Sequence, residues 1–201
     1  MTAKVSETLL AELSDFVGSR LGLHFPRERW NDLERGARTA SRECAFQDDV
    51  ERFIGRLLSS ALTQNELETL ASNLTVGETY FFRERSSLEV FEQQIVPELI
   101  RARHGFGGQL RIWSAGCATG EEPYSLAIVL SRMIADLKEW TITILATDLN
   151  TRSLQKASEG VYTDWSFRDT PQWLRSTYFK ANPGGRWAIS PAIKKMVTFS
   201  Y

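Results

Sequence analysis

The sequence predicts an α/β chain in two parts: a small N-terminal helical bundle, then an open parallel sheet crossed by helices and carrying a small antiparallel β insertion. Three observations predict it. Apolar residues recur at helical steps through residues 1–72. The stretch Leu110–Ala127, LRIWSAGCATGEEPYSLA, reads as strand, glycine turn and helix. A second run of strand character, Thr141–Thr147, ends in Asp148, 28 residues beyond Gly120, near the interval at which a nucleotide fold places its ribose-binding acid.

The elements follow in order. Leu9, Leu10, Leu13, Phe16, Val17 and Leu21 form the apolar stripe of a first helix, which Gly22 closes. Pro26 opens a second, from Arg27 to Glu43, burying Trp30, Leu33, Ala37 and Ala40 while Arg35, Arg38 and Arg42 line a common stripe. Between Arg20 and Arg42, six arginines meet only Glu28, Asp32 and Glu34, a local excess of +3. Helices are also expected at 48–60 and 64–73, completing a four-helix bundle. Residues 73–86 form a linker unusually rich in aromatics, with Tyr80, Phe81 and Phe82 in succession. They are expected to anchor the helical part against the sheet. A helix over 87–103 carries Leu88, Phe91, Ile95 and Leu99, and His104 ends it beside the helix dipole. After the glycine turn, Leu126, Ile128, Val129 and Met133 mark the crossover helix to the second strand. The insertion, 160–195, holds scattered aromatics and a hairpin turn at Asn182-Pro-Gly-Gly185, and a third strand follows at 195–200.

Composition narrows the function. With 201 residues, 42% hydrophobic, 24% charged and a formal charge of -1, no global field recruits nucleic acid. The apolar segment Pro123–Ser131 is too short for membrane insertion, and the polar N-terminus carries no signal core, so a cytoplasmic protein is expected. Cys44, Cys117, His24 and His104 show no metal-binding spacing. Cys117 reads as a small residue in the turn rather than a nucleophile, since no basic partner stands beside it.

The turn itself points to a ligand. Gly116-Cys-Ala-Thr-Gly120 lacks the dinucleotide spacing, and Glu121 and Glu122 stand where a phosphate loop would carry Lys and Ser or Thr. Two carboxylates at a helix N-terminus suit its dipole but repel pyrophosphate. They attract an ammonium group. Asp148, beyond the carboxyl end of the next strand, faces the same crevice and accepts ribose hydroxyls. An adenosine that bears an amino acid in place of phosphates satisfies both: S-adenosyl-L-methionine.

At this point three segments, Val76-Gly-Glu-Thr-Tyr-Phe-Phe-Arg-Glu84, Ile112–Ser125 and Ala146-Thr-Asp-Leu-Asn150, resemble in order and interval the signatures of CheR-type chemotaxis-receptor methyltransferases. The resemblance continues through Gly160-Val-Tyr162, Trp165-Ser-Phe-Arg168 and Val197–Tyr201. It implies a Rossmann-like methyltransferase domain over 87–201, a helical receptor-docking domain over 1–72, and transfer of a methyl group to glutamates on chemoreceptor cytoplasmic helices. S-adenosylhomocysteine would be the product. Gly116 and Gly120 would allow close backbone approach, Glu121 or Glu122 would hold the methionine ammonium, and Asp148 the ribose. Thr79 and Arg83 would serve the reacting end, with Arg83 the catalytic cation, and Arg35, Arg38 and Arg42 would dock the receptor. Many family members carry asparagine where this chain has Gly77. The β-subdomain binds a receptor C-terminal peptide in some members.

The family's Asn-Leu pair after the third strand and its Arg-Asn-Val/Leu-Ile-Tyr-Phe motif are absent, so the sequence reads as the first half of the catalytic fold, and self-association through the open sheet edge is expected. The alternatives are a cofactor-binding or receptor-binding module without complete catalysis, and an adaptor in which only the helical part functions.

Overall fold

The computed structural model describes residues 4–103 and 108–201. The expectation for His104 therefore lies outside the described residues. The chain divides into two compact units, the first running to Val76 and the second starting at Gly77.

In the first unit, α1 (Glu7–Leu21) is capped by the Ser6 hydroxyl, which accepts from Leu9 N–H, and it ends at left-handed Gly22. One 3₁₀ turn, Arg27–Arg29, leads into α2 (Trp30–Glu43). Asp49 caps α3 (Val50–Leu58), and a full capping box of Thr63 and Glu66 starts α4 (Gln64–Leu74). Leu13, Val17, Leu33, Ala37, Ala40, Phe53, Ile54 and Leu70 are buried completely, forming the bundle's core. Both helices predicted over 48–60 and 64–73 are present, within two residues of those bounds at each end.

The second unit opens with an extended segment and a helix that starts at α5 (Arg85–Val90), widens into one π turn over Phe91–Ile95, and continues as α6 (Val96–Arg103). The regular helix expected from 87 misses that widening, and Pro97 explains it. A proline has no N–H for the carbonyl four residues back, and its ring crowds that carbonyl. The turn before it relaxes, with Val96 N–H reaching five residues back to the Phe91 carbonyl.

Then come β1 (Gln109–Ala115), α7 (Glu121–Met133) and β2 (Thr141–Thr147), followed by α8 (Thr151–Glu159), capped by Asn150. The insertion contributes β3 (Val161–Tyr162), a 3₁₀ turn at Asp164–Phe167, α9 (Gln172–Tyr178), β4 (Phe179–Asn182) and β5 (Arg186–Ile189). The short α10 (Pro191–Lys194) leads into β6 (Val197–Ser200). β1, β2 and β6 make a parallel sheet in the order β1-β2-β6, with Ile112 opposite Ile144 and Ile144 opposite Val197. β3, β5 and β4 form a separate antiparallel sheet, its hairpin turning at the predicted 182–185.

One face of the parallel sheet presents Leu110, Ser114, Ile144, Ala146 and Val197 to the core with Tyr124, Ile128 and Leu130 of α7. Residues of the opposite parity, including Trp113 (69% exposed) and Leu145 (40%), face outward. Of the linker aromatics, Phe81 packs into the core of this second unit, fully buried against Tyr162, Phe167 and Phe179 at centroid distances of 4.8, 5.1 and 5.0 Å. Among the described residues, no helix is long and apolar enough to cross a membrane.

Candidate functional site

The carboxyl ends of β1 and β2 and the start of α7 build one site. Gly116 N–H and Cys117 N–H both donate to the Thr147 carbonyl, at 2.8 and 3.0 Å, which ties the turn to the end of β2. Asp148 then closes it from the other side: Oδ2 accepts from Ala118 N–H and Oδ1 from Asn150 N–H, each at 2.8 Å. The sequence expectation that Asp148 and the turn face the same crevice is met by direct contact between the two. Each carboxylate oxygen keeps a second lone pair, so the role of ribose acceptor remains open to both.

Gly116, Ala118 and Gly120 have φ of 75, 47 and 92°. Left-handed backbone at a non-glycine residue is costly, and Ala118 is held there by the Asp148 bond. The two glycines differ in what surrounds them. A Cβ on Gly116 would meet nothing within 4 Å, so the backbone faces open space there. A Cβ on Gly120 would lie 2.9 Å from Ala157 Cβ and 3.1 Å from the Tyr162 hydroxyl. The backbone is thus open at Gly116 and closely packed at Gly120.

The adjacent glutamates also divide. Glu121 is 2% exposed: Oε2 accepts from the Thr119 hydroxyl at 2.6 Å and Oε1 from the Ser166 hydroxyl at 2.9 Å. Glu122 is exposed, and its Oε1 accepts from Ser114 at 2.6 Å. The sequence left open which of the two faces the ligand; the geometry buries Glu121 in the protein and leaves Glu122 exposed.

Cys117 is buried, and its thiol is pushed up to about 12, chiefly by burial and then by Asp148, Glu122 and Glu121. It is therefore a protonated small residue at neutral pH, as the sequence suggests. Tyr162 is likewise raised well above its ordinary value by burial and then by Glu121, so its hydroxyl stays a donor, to the Thr119 carbonyl at 2.9 Å. Among the described residues no group of three or more His, Cys, Asp or Glu side chains could hold a metal ion.

Thr79 is half-buried and Arg83 exposed, on the segment leading out of the aromatic core. Arg83 turns back on its own segment: Nη1 donates to the Glu78 carbonyl at 2.5 Å, and Nε lies 3.8 Å from Glu84. Gly77 runs beside the turn, its would-be Cβ 3.4 Å from Ala118 Cβ. Sequence reasoning missed Ser114, Ser166 and Tyr162. Ser114, directly before the glycine turn on a strand, carried a local signal; Ser166 and Tyr162 stand in segments that share the resemblance, but their bonds to the turn span more than 40 residues of sequence.

In the first unit the arginine stripe borders a shallow groove of about 350 Å³, lined by Asn31, Glu34, Arg35, Arg38, Thr39 and Arg42. The three arginines are unequal. Arg35 (76% of the side chain exposed) pairs with Asp32, and Arg42 (58%) with Asp48, both at 2.7 Å. Arg38 (17%) lies down on Glu34 at 2.5 Å. The outward cations of the stripe are therefore Arg35 and Arg42.

The second unit thus gathers, at the carboxyl ends of β1 and β2, a backbone turn open at Gly116, the exposed carboxylate of Glu122 and the carboxylate of Asp148. Comparison with known proteins shows the family and its cofactor. Residues 77–201 match the family described as CheR methyltransferase, SAM binding domain. Chemotaxis protein methyltransferase 2 of Vibrio cholerae is 36% identical over 135 residues, covering 67% of this chain and 46% of that protein. Chemotaxis protein methyltransferase 1 of Pseudomonas aeruginosa is 38% identical over 155 residues, 73% of this chain and 55% of its own. A chemotaxis protein methyltransferase of Borreliella burgdorferi aligns over 99% of this chain and 70% of its own length at 25% identity. The chain spans about half the length of the first two relatives.

Proposed function

Because the chain belongs to the CheR methyltransferase family, whose domain here takes S-adenosylmethionine as cofactor, we propose that it methylates glutamate side chains on the cytoplasmic helices of chemoreceptors, giving glutamyl methyl esters. The observation that carries this reading is the pairing of the open turn at Gly116 with two differently placed carboxylates, Glu122 and Asp148.

When bound, the cofactor supplies an activated methyl group and a thioether leaving group. The residues have the remaining work. Glu122, oriented by Ser114, holds the ammonium. Asp148, fixed by two backbone N–H groups, accepts the ribose hydroxyls. Arg83 attracts and orients the incoming glutamate, and the Thr79 hydroxyl lines the same end. A carboxylate is already the nucleophile at neutral pH, so no general base is needed, and the rate depends on alignment and loss of water.

The test is calorimetric titration with S-adenosylhomocysteine, together with methyl transfer to a receptor helix. Asp148→Ala should weaken binding by about 1 to 3 kcal/mol through loss of charged hydrogen bonds. Unchanged affinity would remove Asp148 from the site, and binding without any transfer would favour the reading of a cofactor-binding module.

Docking is assigned to α2. Its groove, with Arg35 and Arg42 outward, suits an acidic helix. Reversing both charges, Arg35→Glu with Arg42→Glu, should weaken receptor binding ~10-fold at low salt, since exposed pairs contribute ~0.2–1 kcal/mol each. The effect should largely vanish near ~0.5 M salt, where screening is strong. An equal loss at both salt concentrations would argue against electrostatic docking.

A further inference from the structure

Phe81 and Phe82, which lead to Arg83, are joined to the cofactor turn by a closed ring of hydrogen bonds. Phe81 N–H donates to the Ser166 carbonyl at 2.9 Å, and the Ser166 hydroxyl donates to Glu121 Oε1 at 2.9 Å. From the same glutamate the ring returns: the Glu121 carbonyl accepts from the Ser125 hydroxyl at 2.6 Å, and Ser125 Oγ accepts from Phe82 N–H at 3.1 Å. Glu121, Ser125 and Ser166 are all buried. Phe82 itself has φ 58°, a left-handed conformation that a bulky side chain avoids unless its surroundings impose it. The ring holds the N–H groups of both peptide units that flank Phe81, and so sets the orientation in which the chain enters that bend. The direction in which the chain leaves Phe82, and so the position of Arg83, follows from this bend.

We propose that Ser166, acting through buried Glu121, is a positioning residue that fixes Arg83 relative to the glycine turn. It touches neither cofactor nor substrate. The insertion thereby acquires a part in methyl transfer: its 3₁₀ turn, Asp164–Phe167, sets the spacing between the group that receives the methyl and the group that delivers it. This rests on the proposed role of Arg83 at the substrate end. It also explains why the two glutamates face opposite ways, one outward to the ligand and one inward to the segment that presents the substrate.

The experiment compares Ser166→Ala, Ser166→Thr and the unsubstituted protein for kcat with a receptor helix, affinity for S-adenosylhomocysteine and thermal midpoint. Misplacement by about an ångström costs on the order of 100-fold in rate. Ser166→Ala should therefore lose about 10- to 100-fold in kcat while cofactor affinity changes less than about 3-fold, and Ser166→Thr, which keeps the hydroxyl, should recover most of the loss. A kcat unchanged by Ser166→Ala in an active enzyme overturns the proposal and leaves the functional reading standing. Parallel losses of affinity and thermal midpoint, with kcat per folded molecule unchanged, overturn it in favour of a structural role. No turnover in the unsubstituted protein overturns the reading of the function and this proposal together.

Discussion

Phe81→Ala should lower the stability of the second unit by about 3–5 kcal/mol, the usual cost of truncating a buried aromatic ring to alanine. The ring is fully buried and meets three others: stacked on Phe167 at 19° between planes, and edge-on to Tyr162 and Phe179 at 80 and 73°. Those neighbours are themselves held by the insertion and by the glycine turn, so they cannot all collapse into the space the ring leaves. Offset and edge-on ring pairs add ~0.5–1.5 kcal/mol beyond area burial. Chemical denaturation followed by tryptophan fluorescence checks this, because five of the six tryptophans, Trp113, Trp140, Trp165, Trp173 and Trp187, lie in the second unit. A loss under about 1 kcal/mol would mean that Phe81 is not the keystone of this core. Phe81→Leu, which keeps much of the volume, should fall clearly short of the alanine loss.

Gly120→Ala should be the most damaging small change in the cofactor turn, and Gly116→Ala is its control. Both positions are left-handed, so each alanine carries a backbone cost of ~1–2 kcal/mol. Only at Gly120 does the new methyl collide, with Ala157 Cβ at 2.9 Å, Ala157 Cα at 3.2 Å and the Tyr162 hydroxyl at 3.1 Å. Backbone on one side and a hydroxyl already bonded to Thr119 on the other leave it no room to give way. The turn must shift, and with it Glu121 and the N-terminus of α7. Gly120→Ala should lower the thermal midpoint well beyond Gly116→Ala and cut affinity for S-adenosylhomocysteine by ~100-fold or more, following displacement of the ligand-binding backbone. Equal destabilisation by the two substitutions would show that the packing around Gly120 yields easily.

Local chemistry made much of this fold legible. The strand limits around Leu110 and Ile144, the stop at Gly22 and the hairpin at 182–185 each follow from periodicity or turn residues within a few positions. The glycine turn and Asp148 were legible for the same reason, since a parallel sheet places successive strand ends on one side. Other features depended on distance. Nothing local tells which of two neighbouring carboxylates at a helix start points inward; Ser166, 45 residues beyond Glu121, decides it. The burial of Phe81 likewise requires Phe167 and Phe179, far along the chain. Two signals were present but unread. Pro97 announced the π turn, and Glu34, four residues before Arg38, announced the arginine that lies down on the helix surface.

The order β1-β2-β6 also sets a timetable. The first unit is built from four helices joined by short connections, so its contacts are local and can form early. The parallel sheet cannot. Its middle strand, β2, has its second neighbour only at Val197, 50 residues after Thr147, with α8 and the whole insertion in between. As the polypeptide leaves the ribosome, one side of β2 must wait for that late arrival, and Phe81 waits for Phe179 in the same interval. The helical unit therefore stands ready before the sheet that follows it in sequence exists, and β6, arriving some 50 residues after β2, is the strand that covers the second side of β2.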